Sequence, residues 1–153
     1  MQNRRSFLKK TVTGAVIAST VSSPYSLFAA QSNKEQLTIL HTNDVHSHIE
    51  PFADDDKKYP GLGGAEYRAT IIESIRKQNQ HVLVLDAGDI FQGTPYFNFF
   101  HGDLEIDLMN KMKYDAATIG NHDFDGGIDT LAKQITRANF PFVNCNYDFT
   151  NTP

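Results

Sequence analysis

Three short polar runs, Asp44-Val45-His46, Gly88-Asp89 and Gly120-Asn121-His122-Asp123, each stand just past an apolar stretch of the chain. Carboxylate, imidazole and amide oxygen are donors that divalent cations accept. Two such cations held side by side can clamp both the attacking and the leaving oxygen of a hydrolytic displacement at phosphorus. In an extended backbone, residues two apart project to the same side, so Asp44 and His46 could grip one metal together. Taken alone that pair is weak evidence, because capping and surface exposure account for most Asp-x-His triplets. Asp89 follows a glycine that lets the backbone turn sharply, and its two carboxylate oxygens suit it to bridge cations about 3.5–4 Å apart. Asp86 reads as a turn or supporting residue rather than a ligand. Asn121 offers a neutral carbonyl oxygen, and His122 can face a substrate while Asp125, three positions on, accepts a proton from its ring and orients it. The plainer reading of this last run is a capped helix start at Gly126-Gly127-Ile128, which is compatible with a catalytic role.

The elements that must deliver these groups follow from periodicity. Leu37-Thr38-Ile39-Leu40, Val82-Leu83-Val84-Leu85, Ala116-Ala117-Thr118-Ile119 and Phe142-Val143 read as strands. Between them apolar residues recur at helical spacing: Ala65, Ala69, Ile72 and Ile75; Leu104, Leu108 and Met112; Ile128, Leu131, Ile135 and Ala138. Alternating strand and helix predicts an α/β fold of β-α-β units, with right-handed crossovers and a mostly parallel sheet covered on both faces. Function in such sheets collects at the carboxyl ends of strands, where all three polar runs lie. Residues 53–58 read as an exposed turn. Gly61-Leu62-Gly63-Gly64 fails the dinucleotide-binding pattern, because Glu66 occupies the third glycine position, and is assigned to close packing where the next helix begins. Cys145, the single cysteine, excludes an internal disulfide and is expected in a buried strand as a small hydrophobe.

At 153 residues, 40% hydrophobic and 21% charged, the composition is globular rather than disordered. The first thirty residues differ. They hold no Asp or Glu, carry Arg4, Arg5, Lys9 and Lys10, and contain a small-residue apolar stretch from Val12 to Val21. That is the layout of an export signal over 1–30, followed by a polar spacer over 31–36 and the catalytic-type body over 37–153. Asn3-Arg4-Arg5-Ser6-Phe7-Leu8-Lys9 resembles the twin-arginine signal, which implies the twin-arginine export machinery as a partner and a periplasmic or cell-envelope destination. Setting aside the four basic signal residues takes the formal net charge from −4 to −8. An acidic body argues against a nucleic-acid partner but not against small phosphate substrates, since bound cations reverse the field locally.

Ile39-Leu40-His41-Thr42-Asn43-Asp44-Val45-His46, Gly63-Gly64, the run from Asp86 to Gly93 and the run from Gly120 to Asp125 together resemble the N-terminal part of the calcineurin-like metallophosphoesterases, and within them the 5'-nucleotidase branch. The family usually has Glu where Asp123 stands. The resemblance implies part of a four-layer metallophosphoesterase sandwich and a cofactor of two divalent metal ions, such as Zn, Mn or Mg. It also implies a small nucleotide or other phosphoester substrate attacked by metal-activated water, without a covalent intermediate. Asp44, His46 and Asp89 would hold one metal, Asp89 and Asn121 the second, and His122 with Asp125 would assist at the phosphoryl or leaving group. The substrate-binding residues stay unassigned. The downstream Gly-His-x-His run of the family does not occur in these residues, so about half of the site is expected here, with little phosphatase activity from the chain alone and a C-terminal nucleotidase domain in the full protein or a separate chain. The alternatives are an exported non-catalytic or truncated module, or a complete protein acting on 2',3'-cyclic nucleotides or UDP-sugars.

Overall fold

The computed structural model describes residues 35–153, so the signal assigned to 1–30 and most of the spacer lie outside the described residues. Three parallel strands, β1 (Leu37–Thr42), β2 (His81–Asp86) and β3 (Ala116–Ala117), form a sheet in the order β1-β2-β3. The register sets Thr42 opposite Asp86 and Asp86 opposite Ala117, which aligns the carboxyl ends of the strands. Each polar run therefore leaves the sheet at the same edge. β3 is shorter than the four residues expected, although Thr118 still donates its amide to the Asp86 carbonyl at 3.0 Å. Phe142 adds one parallel bridge beside Ala117.

Helices α1 (Ala65–Gln78), α3 (Asp103–Met112) and α4 (Ile128–Arg137) occupy the three segments with helical spacing. A short helix, α2 (Pro95–Phe100), is not legible in the sequence, because six aromatic-rich residues show no period; Pro95 in its first turn starts it. Gly64 ends the glycine run at φ 85°, and a Cβ there would stand 2.8 Å from the Pro51 nitrogen, so the run does provide the close packing assigned to it.

One core cluster, including Ile72, Val84, Phe91, Ile106, Leu131 and Phe140, gathers the helices onto one face of the sheet. On the other face the odd-numbered side chains of β1 stay open, with Leu37 and Ile39 more than half exposed. The expectation of a sheet covered on both faces thus fails among the described residues, since no described helix lies over that side. Among the described residues, no helix is long and apolar enough to cross a membrane.

Cys145 is exposed, against the expectation of a buried strand. The chain leaves its strand-like course because the Asn144 side-chain oxygen accepts the amides of Asn146 and Tyr147, turning the backbone outward.

Asp86 ends β2 in the supporting position expected of it. It is buried, its Oδ1 accepts the Gly88 amide at 2.9 Å, and its Oδ2 accepts the Thr42 hydroxyl at 2.5 Å. Burial pushes its carboxyl up from 3.8 to about 6, against those two hydrogen bonds. In the pH window between those values the folded chain keeps a proton that the unfolded chain releases, so stability falls as pH rises through it. Asp86→Asn does not titrate. Its stability relative to the parent is expected to improve from pH 4 to pH 7, by up to about 3 kcal/mol. Urea unfolding of both proteins across that range checks the sign, and a flat difference would contradict it.

Candidate metal centre

The loop after β1 does not stay extended, contrary to the geometry expected for Asp44 and His46. Asp44, His46 and Ser47 have φ of 51°, 49° and 53°, and Asp89 on the neighbouring loop has φ of 55°. Non-glycine residues rarely adopt this left-handed conformation, and such strain survives where surrounding bonds over-determine it. Here they do. The amides of Asp44, His46 and Ser47 donate to the carbonyls of Gly88, Asp89 and Ile90 at 3.0, 3.0 and 2.9 Å, lacing the two loops together.

The side chains converge as a result. His46 Nε2 lies 3.7 Å from Asp44 Oδ1 and 4.0 Å from Asp89 Oδ2. One ligand atom from each of Asp44, His46 and Asp89 falls within 4.8 Å of the other two. Two carboxylates and an imidazole at that spacing suit a divalent cation. Asn43 donates its side-chain amide to Asp44 Oδ2. Gly93 makes room for the group, since a Cβ there would meet both the Cβ and the carbonyl oxygen of His46 at 2.9 Å. His48, two residues beyond His46, lies against the Phe52 ring with centroids 4.6 Å apart. His41, His81 and His101 are exposed.

The third run closes on the second through two glycines. A Cβ on Gly88 would stand 2.5 Å from the Gly120 nitrogen, and one on Gly120 would overlap the Asp89 carboxylate. Within this contact the His122 amide donates to Asp89 Oδ1 at 2.9 Å, so the two oxygens of Asp89 face different parts of the site. Asn121 is exposed between Gly120 and His122, both of which touch Asp89. The His122 ring sits edge-on to His46 with centroids 5.1 Å apart. Its Nδ1 is 2.8 Å from Asp125 Oδ2.

The hydrogen bond to Asp125 pushes the His122 ring above its ordinary 6.5, helped by the nearby charges of Asp125, Asp89 and Asp123 and opposed by desolvation. The protonated ring is favoured in the folded protein, a contribution present below the unfolded value and lost as pH rises through the folded one. Asp125→Asn is therefore expected to move the His122 titration downward in an NMR pH series. An unchanged midpoint would show that Asp125 does not govern the ring.

Asp123 is the residue the sequence undervalued. It is 2% exposed, and its carboxylate collects four backbone amides: Gly120 at 2.8 Å and Asp89 at 3.1 Å on Oδ2, Ile90 at 2.8 Å and Phe91 at 3.1 Å on Oδ1. Burial pushes its carboxyl up while these four bonds pull it back. One side chain thus ties the loop of Asp89 to the loop of Asn121 and His122, a task nothing in the local pattern marks. The helix start read at Gly126-Gly127-Ile128 is present, with Gly127 as the N-cap of α4, and a short turn over His122–Phe124 precedes it.

A parallel α/β sheet whose strand tips bring carboxylate and imidazole donors to one cluster places a candidate divalent-cation centre at the carboxyl edge of the strands. The chain belongs to the calcineurin-like phosphoesterase family, whose model matches residues 37–153. It is 47% identical over 115 residues to a snake venom 5'-nucleotidase of Crotalus adamanteus, covering 72% of this chain and 20% of that protein. It is 40% identical over 116 residues to the 5'-nucleotidase of Homo sapiens, again with 72% and 20% covered. A 5'-nucleotidase precursor from Thermus thermophilus superposes with a TM-score of 0.70 at 37% identity, covering 76% of this chain and 23% of that one. The chain spans about a fifth of the length of the curated relatives it matches.

Proposed function

We propose that this chain carries the first part of the active site of an exported, metal-dependent 5'-nucleotidase, which releases phosphate from nucleotides. The observation that carries the reading is the convergence of Asp44, His46 and Asp89, from two separate strand tips, within 4.8 Å. Two carboxylates and an imidazole are a donor set that suits a divalent cation, and Asp89 has a second oxygen on the side of Asn121 and His122. Two cations are proposed, one held by Asp44, His46 and Asp89 and the other by Asp89 and Asn121. Bound divalent cations supply Lewis acidity toward phosphoryl oxygens and acidify water.

The chain's own residues do the rest. Asp44, His46 and Asp89 would fix the position of one cation through a loop hydrogen-bonded to its neighbour. His122, oriented by Asp125, which favours its protonated form, presents an N–H to the phosphoryl group or to the departing oxygen. The relatives named 5'-nucleotidase support the nucleotide substrate. The acidic-free, arginine-bearing N-terminus supports export, as do relatives named from venom and as a precursor.

Four donor residues shared between two cations are few, so affinity and turnover by this chain alone are expected to be low. Calorimetric titration with Mn2+ should show saturable binding to the 153-residue chain, and release of phosphate from nucleoside monophosphates should stay far below that of the longer relatives. No Mn2+ binding would sink the metal reading. Turnover equal to that of a full-length relative would sink the partial-site reading.

A further inference from the structure

A second polar cluster lies apart from the candidate ligands, and the site as described makes no use of it. Glu105, on α3, is only 3% exposed, and neither of its carboxylate oxygens has a hydrogen-bond partner. The Nε of Arg68, on α1, is likewise buried and unpartnered. A carboxylate and a guanidinium nitrogen removed from water are costly unless they are paired or bridged. Both line one small void of about 10 Å³, together with Asp86, Tyr114, Ile90 and Met109. Arg68 is the one base among the residues around that void.

The void is the size of a single water, and it is rimmed by the two to four polar partners that such a water requires. Asp86 connects the cluster to the site. Its Oδ1 holds the Gly88 amide, its Oδ2 holds the Thr42 hydroxyl, and that hydroxyl lies 2.9 Å from the Tyr114 hydroxyl. Asp86 begins the turn that ends at Asp89.

We propose that Arg68 and Glu105 are a positioning pair, joined through one water, that fixes Asp86 and so holds the turn presenting Asp89 to the metal centre. The pair joins α1 to α3 behind the loop, with Glu105 almost fully buried and neither residue among the converging candidate ligands. The proposal rests on the reading of Asp44, His46 and Asp89 as a divalent-cation site, but its test has an arm independent of metal.

That arm is hydrogen exchange at the Gly88 amide, which Asp86 holds directly. In the full chain without metal, Glu105→Gln and Arg68→Met are each expected to speed Gly88 exchange about 10-fold relative to amides of α4. The double variant should do no more than either single one, because the two residues act as a unit. Arg68→Lys keeps the cation but loses Nε, and should fall between the parent and Arg68→Met; it also serves if the methionine variant does not fold. Mn2+ affinity should weaken about 10-fold in both single variants, as expected for groups that orient ligands. Unchanged Gly88 exchange, or a change that merely tracks the amides of α4, would overturn the proposal. If the parent itself binds no Mn2+, the metal reading fails, while the exchange result still decides whether the pair positions this turn.

Discussion

Asp89→Asn is expected to remove divalent-cation binding from the chain while leaving its fold in place. The substitution preserves shape and keeps an oxygen able to accept the His122 amide, which Asp89 Oδ1 now accepts at 2.9 Å. What it removes is the negative charge and the donor capacity of Oδ2, the oxygen nearest His46. Because three converging carboxylate and imidazole groups among the described residues would hold a cation at this centre, the loss of one should cost Mn2+ affinity on the order of 100-fold or more. Stability without metal should hardly move, since the asparagine oxygen keeps the hydrogen bond from the His122 amide and the shape of the side chain is unchanged. Asp44→Asn makes a useful contrast. Asp44 is exposed and already shares Oδ2 with the Asn43 amide, so its loss should weaken binding less. Calorimetry with Mn2+ and thermal unfolding of the same samples separate the two effects. Retention of parental affinity by Asp89→Asn would show that the three side chains are neighbours without being a site.

The chemistry is more legible in the sequence than the geometry, and the reason is physical. Donor identity is written in residue type, and delivery to one edge follows from parallel strands, so Asp44, His46, Asp89 and His122 can be grouped from the sequence alone. Backbone conformation is not written that way. The left-handed turns at Asp44, His46 and Asp89 arise because two loops exchange hydrogen bonds over more than forty residues of separation, which no local pattern records. Helix α2 escapes for a related reason, since its six residues are held by the packing of Phe97 on Phe91, with ring centroids 5.7 Å apart, rather than by any amphipathic repeat. Cys145 is misplaced when strand propensity is extended past Val143, where the Asn144 side chain captures the backbone instead. The open face of β1 shows the same limit. Leu37 and Ile39 read as buried from their apolarity alone, but burial is decided by what lies opposite, and among the described residues nothing does.

Asp123→Ala is expected to have the largest effect on the fold itself. Four backbone amides end on this one carboxylate, two of them belonging to Ile90 and Phe91, which are themselves almost fully buried. Alanine leaves all four donors without a partner in a region that water reaches poorly. At roughly 1–3 kcal/mol for each stranded group, the loss should reach about 4 kcal/mol or more, a large part of the stability of an ordinary domain. Asp123→Asn keeps one acceptor oxygen for two of the amides but turns an NH2 group toward the others, so a loss of roughly 2–3 kcal/mol is expected. Urea unfolding measures both variants, and hydrogen exchange at Asp89, Ile90, Phe91 and Gly120 shows whether the loops open before the core does. The comparison with Asp89 is what makes the result decisive. Asp89→Asn should lose the cation and keep the fold, whereas Asp123→Ala should lose both, because the cation sees only the loops that Asp123 ties together. An Asp123→Ala protein with parental stability would mean that these amides find water or other acceptors at no cost, and that something other than this carboxylate joins the two halves of the site.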